Sequence, residues 1–376
     1  MLSVLLKKIW QVLPVLVLVS LGSFFLLELV PGDPAATVLG PGASPAEYAA
    51  VRDRLGLNEP VVERYTSWVG GVATGDLGQS IFPPNRDVTD LITQRLPVTI
   101  EIALLSMILT LLIAIPLAMR TAYRPNDGLD RIATTGAFAA LATPPFLAGL
   151  LFVFFAVFNP GIVKVGLLAV GVVLAYYLGV NALRRVRRCP PGPARTKAIM
   201  FGIAGLLVPL VIFGLLARYL PSFPRQGYAR ITDEGLRKNL KSVALPVFTL
   251  TLTECAVSLR ILRRDLIDTL GEDFILAARA KGMPAWRILL KDALRPSLFS
   301  LITIMSVTLG RLIGGSVIVE TIFNLPGMGR LMVESITSKD YPVVQACVLI
   351  IGVIYVLSSA FVDVAYNYLD PRVRRA

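Results

Sequence analysis

Residues 266–296 read LIDTLGEDFILAARAKGMPAWRILLKDALRP, a polar island between two apolar segments that are each long enough to cross a bilayer. Leu266, Leu270, Phe274, Ala277 and Ala278 recur at helical spacing, which predicts one amphipathic helix with Asp268, Glu272, Asp273, Arg279 and Lys281 mostly off its apolar face. Gly282 predicts a left-handed stop. Pro284 suits the first turn of a second helix, whose apolar positions are Trp286, Leu289, Leu290 and Leu294. The expected product is helix, tight turn and helix, standing outside the bilayer. Ala277, Ala278 and Gly282 are small enough to let another protein's surface approach the backbone closely. The alternative is an ordinary amphipathic helix lying on the membrane surface.

The flanking segments set the class. With 376 residues, 55% of them hydrophobic, and a mean hydropathy of +0.69, the chain is too apolar for a soluble protein and reads as a polytopic membrane protein. Lys and Arg number 37 against 25 Asp and Glu, a net charge of +12. Those basic residues collect at the ends of apolar runs, the pattern that orients spans rather than one that binds nucleic acid. Cys189, Cys255 and Cys347 are too scattered for a disulfide framework or a metal site. Histidine is absent, which removes the commonest general base and metal ligand. No G-x-x-x-x-G-K-[ST] loop and no G-x-S-x-G turn occurs, so enzymatic chemistry is disfavoured and energy must come from a partner.

Taken in order, Lys7 and Lys8 precede an apolar run over 9–30, which places the amino terminus inside. Residues 31–96 form an external polar subdomain with helices expected over 45–55 and from about Pro60. Further spans are expected over 98–118 and over 132–158, the latter kinked at Pro144 and Pro145. Two more, 162–183 and 198–217, flank Arg184, Arg185, Arg187, Arg188, Arg195 and Lys197, which either anchor the topology or meet anionic lipid. The remaining spans are 243–262, 297–322 and 343–366. Gly310 and Gly314, four apart, give one helix face room for a close neighbour. The fold class is thus an all-α polytopic membrane protein of about eight transmembrane helices with both termini inside. Its segments are 1–30, 31–96, 97–158, a hairpin at 159–220, 221–265, the loop 266–296, and 297–376. The basic residues of 218–242 fall outside, against the positive-inside bias.

The run Ala277-Ala278-Arg279-Ala280-Lys281-Gly282 resembles the cytoplasmic EAA loop of bacterial ABC importer permeases, in particular the oligopeptide, dipeptide and nickel branch. Pro31-Gly32-Asp33-Pro34, Leu55-Gly56-Leu57, 75–78 (GDLG), 320–331 (ETIFNLPGMGRL), 340–345 (DYPVVQ) and 369–372 (LDPR) are similar to the same branch. The pattern's opening Glu is Leu276 here, its Ile is Asp292, and its Pro comes one residue late at Pro296.

The resemblance covers the chain apart from roughly residues 159–220, which makes that hairpin an insertion into a six-helix core. It implies that Asp273, Phe274, Ala277, Ala278, Arg279, Lys281 and Gly282 couple to an ATPase. It further implies two cytoplasmic ABC ATPase subunits carrying ATP and Mg, a second homologous permease subunit in a heterodimer, and an extracytoplasmic solute-binding protein docked with help from 31–96. No cofactor would sit on this chain, and its other contacts would be membrane lipid. The implied place is the bacterial cytoplasmic membrane and the implied cargo di- or oligopeptides, with nickel chelates or glycans as alternatives. A self-sufficient channel or secondary transporter, and a membrane scaffold, are the other classes.

Glu254 and Arg311 lie well within their spans, where an ionisable group costs about 2.5–3.5 kcal/mol. Either they line the translocation pathway and meet the termini of a zwitterionic peptide, or they form an interhelical or intersubunit ion pair. Glu28, Glu101, Arg260, Glu320 and Asp363, near span ends, are expected to snorkel.

Overall fold

The computed structural model describes residues 13–25, 35, 39, 43–54, 56–82, 86–188, 192–219, 222–224 and 226–369. Lys7, Lys8, Glu28, the motif at 31–34, Leu55, Cys189, the side chain of Asp363 and residues 370–376 lie outside the described set.

The chain begins with α1 (Leu13–Phe25), α2 (Pro45–Arg54) and α3 (Val61–Thr74). A long α4 (Val88–Tyr123) is followed by α5 (Gly128–Ala142) and α6 (Pro145–Val153), which runs into a π-turn at Phe154–Phe158. Then come α7 (Pro160–Arg188), α8 (Pro193–Arg218), α9 (Ile231–Glu234), α10 (Leu236–Leu270) and α11 (Asp273–Ala280). A turn of helix, α12 (Ala285–Arg287), and a π-turn at Ile288–Ala293 lead into α13 (Leu294–Gly315). The chain continues with α14 (Val317–Ile322), α15 (Met328–Ser338) and α16 (Tyr341–Leu369). Among the described residues there is no strand, only an isolated bridge between Gln79 and Asp87.

Local chemistry explains several boundaries. Ser44 and Glu47 cap α2 reciprocally: the Ser44 N–H donates to Glu47 Oε2 at 2.7 Å and the Glu47 N–H to Ser44 Oγ at 3.3 Å. Pro60 precedes α3 as expected. The external segment ends earlier than its polarity suggests, because 88–96 is already helical. At 36 residues and 1.5 Å per residue, α4 is about 54 Å long and must overshoot the roughly 30 Å hydrocarbon layer.

Among the described residues six helices are long and apolar enough to cross a membrane, and the α5–α6 pair makes seven if it counts as one span. Helix α1 is shorter in its described part. The described residues thus carry six or seven of the eight spans expected from the sequence, and the run expected over 9–30 lies partly outside them. At Thr143 the chain turns by 103°, far more than a kink. Thr143 is extended because the ring of Pro144 excludes the helical region for its predecessor, and the lost amides release the helix there.

Contacts divide the chain into two units, one of 1–146 with 246–376 and one of 147–245. In the second, Gly171 faces Phe213, Gly179 faces Leu206, Gly205 faces Leu178 and Gly202 faces Ala182. Partner numbers fall along α8 as they rise along α7, so the two form an antiparallel hairpin with small residues letting it close. Val165, Val173 and Phe201 stay exposed, as suits a face toward lipid.

In the first unit, a Cβ on Gly310 would fall on the Tyr355 ring, and one on Gly314 would lie 3.2 Å from Ile351. The close neighbour that this face was expected to admit is α16. Away from α11, Leu77, Val88, Ile92, Met328, Leu331, Val343 and Cys347 form a second core. Asp340 ties this end together: Ser80 Oγ donates to Oδ2 at 2.5 Å and the Ile81 N–H to Oδ1 at 3.2 Å.

Burial pushes the Asp340 carboxyl above its usual range, despite those donors. Because the folded pKa is raised, its stabilising contribution is full below the unfolded value of about 3.9 and is lost as pH rises through the folded one. The melting temperature of wild type minus that of Asp340→Asn should therefore increase as a detergent-purified sample is taken from pH 7 to pH 4.5. A difference independent of pH would contradict this.

Candidate functional site

The break between α10 and α11 is the first departure from the sequence expectation. Gly271 and Glu272 donate back to the carbonyls of Asp268 and Thr269 at 3.1 Å each, closing a turn where one continuous helix was expected. Leu266 and Leu270 belong to α10, and Phe274 starts a new axis. Ile275, fully buried, anchors α11, with Ala278 packed behind it one turn on. Phe274 and Leu276 are about half exposed, and Ala277 and Lys281 are exposed too. Phe274, Ala277 and Lys281, at i, i+3 and i+7, share the outward face.

Gly282 ends α11 as expected, with φ +73°. Its N–H donates to the Arg279 carbonyl at 2.9 Å and the Met283 N–H to the Ala278 carbonyl at 3.2 Å, a Schellman closure. Met283 and Ala278 then pack on the same core. Pro284 stands just before α12 rather than within it. Of the second helix's expected apolar face, Leu289 and Leu294 pack inward while Trp286 and Leu290 remain exposed. The π-turn at Ile288–Ala293 inserts an extra residue and rotates the face between these positions.

The core that receives Ile275 is shared. It includes Ala118 and Ala122 of α4, Ala137 of α5, Leu262 and Leu266 of α10, and Leu301 of α13. Ile275 of α11 thus packs against side chains of four helices.

Beside this core lies a clamp that the sequence reading missed. Arg263 Nε and Nη2 donate to Asp130 Oδ1 and Oδ2 at 2.7 and 2.8 Å, fastening α10 to α5. The Asn126 N–H, from a left-handed residue, donates to the same carboxylate at 2.8 Å. An acid two residues after Asn126-Asp127-Gly128, just inside an apolar run, was the available signal.

Glu254 and Arg311 meet. Arg311 Nη2 lies 2.7 Å from both carboxylate oxygens, and Thr308 Oγ1 donates to Oε2 at 3.3 Å. Among the charges expected to snorkel, Glu320 does not. The Arg260 guanidinium sits 4.8 Å over the Phe138 ring, and Glu320 is fully buried inside the 320–331 signature. Among the described residues no group of three or more His, Cys, Asp or Glu is placed to hold a metal.

Comparison with known proteins locates these features in a family. A model described as the binding-protein-dependent transport system inner membrane component matches residues 191–375, and one for the N-terminal part of such membrane components matches residues 1–103. The probable peptide ABC transporter permease protein y4tP of Sinorhizobium fredii is 30% identical over 370 residues, 98% of each chain. The chain belongs to the binding-protein-dependent inner membrane transport components.

Other relatives of this family also align from end to end. The oligopeptide transport system permease protein AppB of Bacillus subtilis is 30% identical over 374 residues, 99% of each chain. The dipeptide transport system permease protein DppB of Alkalihalophilus pseudofirmus is 29% identical over 375 residues, covering both chains completely. As an inner membrane transport component, the protein is a permease subunit integral to the cytoplasmic membrane, and membership implies work beside an ATPase and a solute-binding protein.

Proposed function

We propose that this permease subunit carries di- or oligopeptides inward as half of a heterodimeric pathway, with α11 as the lever on which a cytoplasmic ATPase acts. The chain binds no cofactor of its own in this reading, and ATP with Mg2+ is held by two ATPase subunits. Residues around α2 and α3 receive the solute-binding protein outside. Both termini and the α11 loop lie in the cytoplasm. The peptide cargo is inferred from the names of the relatives.

One observation carries the mechanical part. Ile275, Ala278 and Met283 lock α11 into the core of α4, α5, α10 and α13, while Phe274 and Ala277 turn outward, and Trp286 and Leu290 further along the loop are exposed as well. A loop in water gains nothing from displaying two large aromatic side chains unless something covers them. A groove on an ATPase would. Closure of the nucleotide sites would press this face, and the shared core would tilt the spans toward the outward-facing state.

The test is Phe274→Asp in the assembled transporter. Because Phe274 contributes little to this chain's own core, its melting temperature should stay within about 1–2 °C of wild type, a surface-scale effect. Solute-stimulated ATP hydrolysis should fall at least ~10-fold, as for loss of an aromatic anchor at an interface. Hydrolysis that survives unchanged would move the coupling elsewhere. Gentle purification of the tagged chain should recover the ATPase with wild type and lose it with the variant.

A further inference from the structure

Glu254 is nearly fully buried, near the middle of the apolar run 243–262, and its side chain is 6% exposed. Arg311, one turn before the end of α13 and level with Glu254 through their contact, has a side chain that is 55% exposed. The pair is therefore lopsided. One nitrogen of the guanidinium, Nη2, makes both contacts to Glu254, and Thr308 completes the acid's partners. Arginine has five N–H donors, and no described residue accepts from Nε or Nη1. The buried acid thus holds the arginine through Nη2 and leaves the Nε and Nη1 donors open.

Open guanidinium donors at this depth cannot face hydrocarbon without a large cost. Thr303, Val307, Arg311 and Gly315 follow at four-residue intervals along α13 and are all exposed, so Arg311 stands in an open stripe rather than in a gap between packed helices. Lipid headgroups lie too far from mid-span to supply a phosphate. A water-filled pathway carrying an anion satisfies both the charge and the exposure.

We infer that Arg311, preset by Glu254, is a transient binding site for the carboxylate of the transported solute, which for a peptide is its C-terminal carboxylate. The inference rests on the peptide-permease reading and deepens it. The free Nε and Nη1 donors offer a passing carboxylate charge-assisted hydrogen bonds, and the pair would form once the solute has left the solute-binding protein. Glu254 is a positioning residue: it anchors Nη2 and dilutes the arginine's charge, so that the passing carboxylate is attracted but not trapped.

The experiment uses the assembled transporter in proteoliposomes with the same solute-binding protein throughout, and compares uptake of trialanine with that of trialanine amide. Wild type should prefer the free acid. In Arg311→Gln, and in the Glu254→Gln/Arg311→Gln double variant that leaves no unpaired buried acid, the free-acid to amide ratio should fall at least ~10-fold, the scale of a lost charge-assisted hydrogen bond. Arg311→Lys should retain part of the preference.

The solute-binding protein contributes equally on both sides of this comparison, so a change in ratio belongs to the permease. An unchanged ratio with uptake intact overturns the inference and leaves the peptide reading standing. Loss of the second permease subunit from purified Arg311→Gln also overturns it, since the carboxylate would then be the partner's. Uptake of neither probe by wild type would instead sink the peptide reading together with this site.

Discussion

Gly327→Ala should destabilise the chain by about 3–5 kcal/mol, the scale of breaking a buried ionic site, and lower its apparent melting temperature by several degrees. Gly327 has φ −99° and ψ 178°, an extended conformation open to any residue, so backbone strain plays no part. The cost is steric. An added Cβ would land on the carboxylate of Glu320, which is fully buried.

That carboxylate is the hub of the 320–331 signature. Oε1 accepts from Thr99 Oγ1 and from Ser316 Oγ at 2.7 Å each, and Oε2 accepts from the Arg330 N–H at 2.9 Å. Thr99 in turn accepts from the Met328 N–H at 2.8 Å. Displacing Glu320 strips a fully buried carboxyl group of its three donors. Gly329 closes the same knot, because its Cβ would meet the Val317 backbone at 2.8 Å.

Glu320→Ala alone should also be severe, since it orphans the three donors. The Glu320→Ala/Gly327→Ala double variant, which restores room, should cost less than the sum of the singles by about 1–3 kcal/mol. Thermal unfolding in detergent measures all three. A Gly327→Ala protein melting within a degree of wild type would show that the carboxylate has another place to go.

Arg263→Ala is expected to have an effect of similar size, about 3–5 kcal/mol, by leaving the Asp130 side chain, only 5% exposed, without its guanidinium. The geometry supports the upper range, because both carboxylate oxygens are engaged at 2.7 and 2.8 Å by two nitrogens of one planar group. Asp130→Ala/Arg263→Ala should recover at least about 1–2 kcal/mol of that loss, since neither charge is then stranded. Strict additivity of the two single variants would mean that the pair is only a coincidence of packing.

The clamp fastens α5 to α10 one turn from Leu266, where the core that seats Ile275 begins. The same variants should therefore weaken the response of ATP hydrolysis to solute in the assembled transporter. That second readout separates a mechanical role from a purely structural one.

Much of the class and the family was legible in the residues. Apolar length read directly as spans, because a helix that satisfies its own backbone needs only about twenty such residues to cross. Gly282 announced its left-handed stop, and Gly310 and Gly314 announced a close neighbour, because the missing Cβ acts locally whatever the fold around it. The signature at 320–331 could be recognised as a string. Its reason for existing could not, since Glu320 meets Thr99 across 221 positions of chain.

The same limit applied to the loop. Helical spacing alone grouped Phe274 with Leu270, but the turn at Gly271 started a new axis, and only the packing of Ile275 decided which face of α11 points out. Asp130 and Arg263 are 133 residues apart and went unpaired in the sequence, whereas Glu254 and Arg311, 57 apart, were offered there as one of two readings that only packing could decide. Local backbone chemistry and hydrophobic length are written along the chain. Which charges neutralise one another, and which aromatic side chains stay uncovered, depend on how helices far apart in sequence come to pack, and only the tertiary structure decided them.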